Sequence, residues 1–199
     1  MTTDEVEVVV DVSQNWVLAC DVQQRFMRGW TTAQCRQVRA LGGDCYDLMP
    51  LTDDRLALAV GDASSKGLAA ALMIASVQSS VRTAALFTGN DLAALLKIVN
   101  LQAYASSLTD RYATIFYGVF DPATRTLRYV NAGHTPPIIL PHNGSVDPLE
   151  MGGAPVGMFP DSSYEEGAVQ LDPGDVVITY TDGVIEACEP ARSGEFSAC

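Results

Sequence analysis

The chain has 199 residues, 48% of them hydrophobic and 18% charged, which suits one domain with a buried core and does not suit a disordered chain. Its 24 acidic and 12 basic residues give a formal net charge of −12, without the clustered Lys and Arg that nucleic acid or an anionic membrane surface would require. No apolar run approaches the ~20 residues that span a bilayer, and the acidic start lacks the basic segment of a signal peptide. The expectation is therefore a cytoplasmic protein with no nucleic-acid partner and no membrane insertion.

In chain order, an acidic start is followed by Trp16, Cys20, Val22 and Phe26 set among polar residues, which predicts an amphipathic helix over residues 15–29. Residues 30–34 read as a polar connection. Residues 36–40 and 45–51 read as strands around Gly42-Gly43, residues 52–54 as a turn, and residues 55–60 as a buried strand. An Ala-, Leu-, Met- and Val-rich helix follows over 66–86. A second runs from an Asn90-Asp91 cap to about residue 106. Residues 112–120 and 126–131 form a hairpin across Asp121-Pro122-Ala123-Thr124, and further short strands are predicted at 138–140, 164–171 and 176–181. Strands joined by turns rather than by alternating helices favour antiparallel sheets flanked by a helix pair. The five cysteines are odd in number and lack C-x-x-C spacing, so zinc and a disulfide framework are both poor readings.

Three aspartates share one design. Asp44 follows Gly42-Gly43, Asp62 ends the apolar strand before Ala63-Ser64-Ser65-Lys66-Gly67, and Asp182 ends another apolar strand before Gly183. A carboxylate at the exit of a buried strand, beside glycine, points into a crevice at the sheet edge. Several converging there repel one another unless a hard cation such as Mg²⁺ or Mn²⁺ neutralises them. Taken singly, each aspartate reads as a turn or cap residue; the three together favour the cation. Asp47 is a weaker candidate. Residues 61–67 lack the P-loop form. His134, before Thr135-Pro136-Pro137, reads as a buried residue shaping a turn rather than as a general acid or metal ligand.

These residues carry a resemblance. Gly42-Gly-Asp-Cys-Tyr-Asp47, Val60-Gly-Asp-Ala-Ser-Ser-Lys-Gly67, the helix with Ala69-Ala-Ala-Leu-Met73, Tyr112-Ala-Thr-Ile-Phe116 and Tyr129-Val-Asn-Ala-Gly-His134 occur in a fixed order. Pro155-Val-Gly157, Pro173-Gly-Asp175 and Tyr180-Thr-Asp-Gly-Val-Ile-Glu-Ala187 follow. The ordered set resembles the SpoIIE/RsbU branch of the PPM phosphatases, bacterial relatives of protein phosphatase 2C. The resemblance implies an α+β fold in which two antiparallel sheets pack face to face between helical layers, a four-layer αββα sandwich. It implies residues 1–30 as acidic N-terminus and helical lead-in, and residues 31–199 as the phosphatase domain. It further implies two Mn²⁺ or Mg²⁺ ions held by Asp44, Asp62 and Asp182, with Asp62 bridging and the Ala63 carbonyl adding an oxygen. The implied reaction is attack of a metal-bound water on phosphoserine or phosphothreonine of a regulatory protein, a STAS-type anti-anti-sigma factor. A homodimer through the lead-in helix is the corresponding assembly.

Three departures from the family pattern qualify these expectations. Ser65 stands where the family usually has Gly, so a positive φ there would strain the loop. The connection between Phe26 and Cys35 is short. The family's final helix and strand, with an Asp-Asp-[Ile/Val]-Thr motif that supplies a metal ligand, have no counterpart before Cys199. On that reading the domain is incomplete at its C-terminal end, binds metal weakly and turns over little. The rival expectation is an impaired module that sequesters a STAS-type partner without hydrolysis.

Overall fold

A computed structural model describes residues 5–11, 18–19, 31–36, 43–52, 54–106, 111–141 and 146–182. Twelve strands and two helices occur among them. They are β1 (Glu5–Asp11), β2 (Leu18–Ala19), β3 (Thr31–Arg36), β4 (Asp44–Pro50), β5 (Leu56–Ala63), α1 (Leu68–Ala85) and α2 (Leu92–Ser106). After them come β6 (Ala113–Asp121), β7 (Thr126–Ala132), β8 (Ile138–Leu140), β9 (Asp147–Pro148), β10 (Gly152–Gly153), β11 (Gly167–Gln170) and β12 (Val176–Tyr180). One sheet has the order β2-β3-β1-β12-β8-β9. The other has the order β10-β7-β6-β5-β4, with β11 also pairing with β7. Pairing is antiparallel except for the two-residue contacts β2–β3 and β10–β7. The α+β fold of two packed sheets with helices is as expected; both described helices lie on one side, and the second helical layer of the expected four-layer sandwich is not among the described residues.

The period of two along each strand decides which core a residue joins. On β5, Ala57, Ala59 and Ala63 face α1 and α2, in a core with Ala70, Ile74, Val77, Val81, Leu95, Leu96 and Val99. Leu58 faces the other way, into a second core shared with Phe116, Phe120, Leu127, Tyr129, Ile139, Leu149, Leu171 and Val177. Small residues on the helix side let α1 sit close to the sheet; large ones fill the space between sheets. Phe116 and Tyr129 stack in that space with ring centroids 5.6 Å apart.

Helix α1 buries one stripe, Ala70, Ile74, Val77, Val81 and Ala84, at the 3–4 spacing of an amphipathic helix. Its length and mean hydropathy would also allow a membrane crossing. The packed stripe and the Arg82–Asp47 ion pair make it a core helix. It starts at Gly67, whose φ of 75° suits glycine. Ser65 is not in the positive-φ region, so the expected loop strain is absent: the unusual backbone falls on Gly67 instead. Helix α2 is capped twice. Asp91 Oδ1 accepts from the Ala94 N–H at 2.7 Å, and Glu166 Oε1 accepts from Leu92 N–H at 2.7 Å while its other oxygen pairs with Arg128. Asn90, expected to share the capping, bonds Arg55 instead.

The N-terminal third corrects the sequence reading. Leu18–Ala19, inside the helix expected over 15–29, is strand β2 beside β3; the rest of that helix lies outside the described residues. Strand β3 occupies Thr31–Arg36, where a polar connection was expected, and residues 37–40 lie outside the described residues. Within the acidic start, Glu5–Asp11 forms strand β1, which lies between β3 and β12. The physical reason is that Val6, Val8, Val9 and Val10 are β-branched strand formers, masked in composition by the acids around them.

Candidate active site

Asp44 and Asp62 stand directly opposite each other on the antiparallel β4–β5 ladder, the first pair of a register that runs to Pro50↔Leu56. Opposed residues share a face, and the even positions of β5 face the second sheet, so both carboxylates project into the space between sheets. Gly61 precedes Asp62 because a Cβ there would lie 2.8 Å from the Thr114 carbonyl oxygen. Gly43 precedes Asp44 in a similar squeeze. A Cβ would meet Ala70 Cβ at 3.2 Å and Asp62 Oδ1 at 3.3 Å, so only glycine lets α1 and the Asp62 carboxylate approach this closely.

The third carboxylate arrives from the other sheet. Strand β12 ends at Tyr180, and the Thr181 hydroxyl, fully buried, donates to Asp44 Oδ2 at 2.6 Å. That bond ties the end of β12 to β4 and places the exposed Asp182 beside the pair. Burial, a hydrogen bond with Asp44 and the charges of Asp44 and Asp182 push Asp62 up to about 8, so at neutral pH the Asp44–Asp62 pair holds a proton. Ala63, the expected carbonyl ligand, is buried. Its N–H donates to the Gly43 carbonyl at 3.2 Å, and its backbone offsets part of the Asp62 shift.

The donor set can be tested against a hard divalent cation. Asp44 and Asp62 fit: two opposed, buried carboxylates that repel one another offer oxygens that a cation would hold. Asp182 acts on Asp62 through its charge. Among the described residues, no three His, Cys, Asp or Glu side chains are gathered tightly enough to hold one ion together. Asp47 does not join the group. It lies on the opposite face of β4, where Arg82 binds both its oxygens at 2.5 and 2.6 Å.

His134 is buried, as expected of a turn-shaping residue, and is held by Asn131: the His134 N–H donates to Asn131 Oδ1 at 2.7 Å, and Asn131 Nδ2 donates to the His134 carbonyl at 3.0 Å. Burial lowers its pKa to about 4, an effect the Tyr180 backbone partly offsets, so the ring is neutral. Sequence reasoning missed Thr181 and Thr114. The only signal for either was its place beside a motif aspartate or opposite one across a strand pair.

With this geometry in hand, similarity to known proteins can be placed. The family model for stage II sporulation protein E (SpoIIE) matches residues 52–198. The chain belongs to the SpoIIE family. Protein IcfG of Synechocystis sp. is 33% identical over 183 residues, an alignment covering 77% of this chain and 28% of IcfG. Phosphoserine phosphatase RsbP of Bacillus subtilis is 25% identical over 150 residues, covering 73% of this chain and 37% of RsbP. This SpoIIE-family chain therefore spans well under half the length of either relative. In fold it is similar to the PP2C phosphatase domain of SpoIIE from Bacillus subtilis, with a TM-score of 0.64 at 20% identity over 85% of this chain and 54% of that one.

Proposed function

We propose that this SpoIIE-family domain is a divalent-metal-dependent protein serine/threonine phosphatase acting on a phosphorylated regulatory protein, with a STAS-type protein as the substrate class. The observation that carries the reading is the Asp44–Asp62 pair. Two carboxylates face each other at the rim between two sheets with no cationic side chain bound to Asp62 among the described residues, and a third carboxylate adds its charge. Such a pair is costly to ionise and is retained where a cation is to be held. The name of the relative RsbP, a phosphoserine phosphatase, supports the reaction class.

Asp44 and Asp62 would hold Mn²⁺ or Mg²⁺, with Asp182 and the Ala63 carbonyl as further oxygens. When bound, such ions offset charge on phosphoryl oxygens and make a coordinated water more acidic. The residues themselves do the placing. Thr181 fixes the rotamer of Asp44 through its hydroxyl. Gly43 and Gly61 leave no side chain between Asp62 and its neighbours. Asp182, exposed, marks the side from which a phosphorylated segment enters.

The test is Mn²⁺-dependent hydrolysis of p-nitrophenyl phosphate and phosphate release from a phosphorylated STAS-type protein, with Asp62→Asn as control. Turnover that requires Mn²⁺ and Asp62 supports the proposal. Tight binding of the phosphoprotein without release would replace the enzyme with a sequestering module. Phosphate binding that is unchanged in excess EDTA would remove the cation from the site.

A further inference from the structure

His134 has two polar sides. Its Nδ1 lies 3.1 Å from Thr114 Oγ1, and the same hydroxyl is 3.4 Å from the backbone carbonyl of Asp62. The hydroxyl donates to that carbonyl, so the neutral ring carries its proton on Nδ1 and donates it to Thr114 Oγ1. Nε2 is buried and has no hydrogen-bond partner among the described residues. Thr114 stands opposite Asp62 in the β5–β6 register, so the imidazole is tied through it to the strand end that carries Asp62. A buried ring nitrogen without a partner is unfavourable by itself, so its retention calls for a reason beyond filling space.

We infer that His134 is a positioning residue for the carboxylate end of β5, holding the Asp62 backbone through Thr114. The inference rests on the metal-site reading above and adds a residue to it. A shift of the Asp62 backbone would move its carboxylate relative to Asp44, and the His134–Thr114 chain opposes that motion. Asn131 holds the bracket from behind, since its side chain bonds both backbone groups of His134 and the Leu149 carbonyl at 3.2 Å. The role parallels the partners that orient metal ligands elsewhere, whose loss lowers metal affinity rather than abolishing the fold.

The experiment measures Mn²⁺ affinity by calorimetry or by the electron paramagnetic resonance of free Mn²⁺, together with metal-free thermal stability. The variants are Thr114→Val, His134→Leu, the double variant and His134→Asn. Thr114→Val and His134→Leu should each weaken Mn²⁺ binding about 10- to 100-fold, and the double variant should be no worse than the poorer single one. His134→Asn places an amide N–H near the position of Nδ1–H, so it should recover part of the affinity lost in His134→Leu. Arg82→Met, which destabilises the fold from the opposite face of β4, serves as the matched control and should leave Mn²⁺ affinity intact.

If wild type binds Mn²⁺ and the Thr114 and His134 variants bind within about twofold of it while melting earlier, His134 is only a core residue and the inference falls. If wild type binds no Mn²⁺, the proposed metal site falls first and the inference with it. Should His134→Leu fail to fold, the near-isosteric Thr114→Val decides the matter alone.

Discussion

Strand β4 carries two buried aspartates three residues apart, and their surroundings are opposite. Asp47 faces the helices, where Arg82 neutralises it with a two-pronged ion pair. Asp44 faces the second sheet, where its opposite number is another carboxylate. Burial is nearly equal, 5% against 7% exposed, so desolvation does not distinguish them. The difference lies in the neighbour. A buried acid that the fold has neutralised is part of the scaffold; a buried acid set against another acid leaves a charge to be balanced from outside.

The largest expected effect comes from removing the unbalanced side. Asp62→Asn should lower Mn²⁺ affinity by more than about 100-fold, beyond the losses typical of groups that merely orient a ligand. The same variant should melt no lower than wild type without metal, since it removes repulsion. Calorimetry paired with a melting curve checks both.

Next comes the balanced side. Arg82→Met strands Asp47 without its partner and should cost about 1–3 kcal/mol, less than a fully buried pair because the arginine side chain is 47% exposed. For a domain of this size that is roughly 2–4 °C in Tm per kcal/mol. Mn²⁺ affinity should not change. If it falls along with stability, the two ends of β4 are not independent.

The pH dependence separates the pair in a third way. Asp62 has an ordinary value of 3.8 and lies near 8 when folded. Between those values the folded state keeps a proton that the unfolded state has lost, so its advantage is full below about pH 4 and declines as pH rises toward 8. Metal-free melting temperature should fall from about pH 6.5 to 8, above the range in which the opposite His134 slope offsets it. Mn²⁺ should reverse that fall, and Asp62→Asn should remove it and leave the His134 rise below about pH 6.5 standing alone. His134 works in the other direction. Its value drops from 6.5 to about 4, so its stabilising neutrality is lost as pH falls through that range. A melting-temperature series from pH 4 to 8, with and without Mn²⁺, reads both slopes.

The smallest expected effect is at Thr181. Thr181→Val deletes the hydroxyl that donates to Asp44 and should cost about 1 kcal/mol in stability. It should also lower Mn²⁺ affinity by about 10-fold, the low end for an orienting group. An unchanged affinity would mean that Asp44 keeps its rotamer without help.

Much of this was legible in the sequence, and the rest was hidden for identifiable reasons. The β4–β7 meander and both helices follow from periodicity, because each buries one face against a partner close in sequence. Gly-Asp at the ends of apolar strands marked Asp44 and Asp62. Strand β1 was not legible: a valine run inside an acidic stretch looks like a solvated tail until β12, far along the chain, covers it. Thr114 and His134 were not legible as a pair either, because their meeting depends on strand register, which a single sequence does not display. Asp47 resembled its neighbour in sequence and differed only in which face of the pleat it occupied.

The pairing of β1 with β12 has a consequence for how the molecule comes into being. Glu7 meets Tyr180 across 173 positions of chain (180 − 7), whereas β4 to β7 pair each with the next. At synthesis rates of ~5–20 residues per second, the helix-backed sheet can assemble while β1 waits about 10–35 s for its second neighbour. During that interval a valine-rich strand edge stays open to the wrong partner, a natural point for chaperone engagement. Thr181 and Asp182 hang from the same late strand. A growing chain can thus hold a finished meander, with Asp44 and Asp62 already facing each other, and still lack the group that completes their surroundings. The surroundings of the pair are completed only when β12 docks.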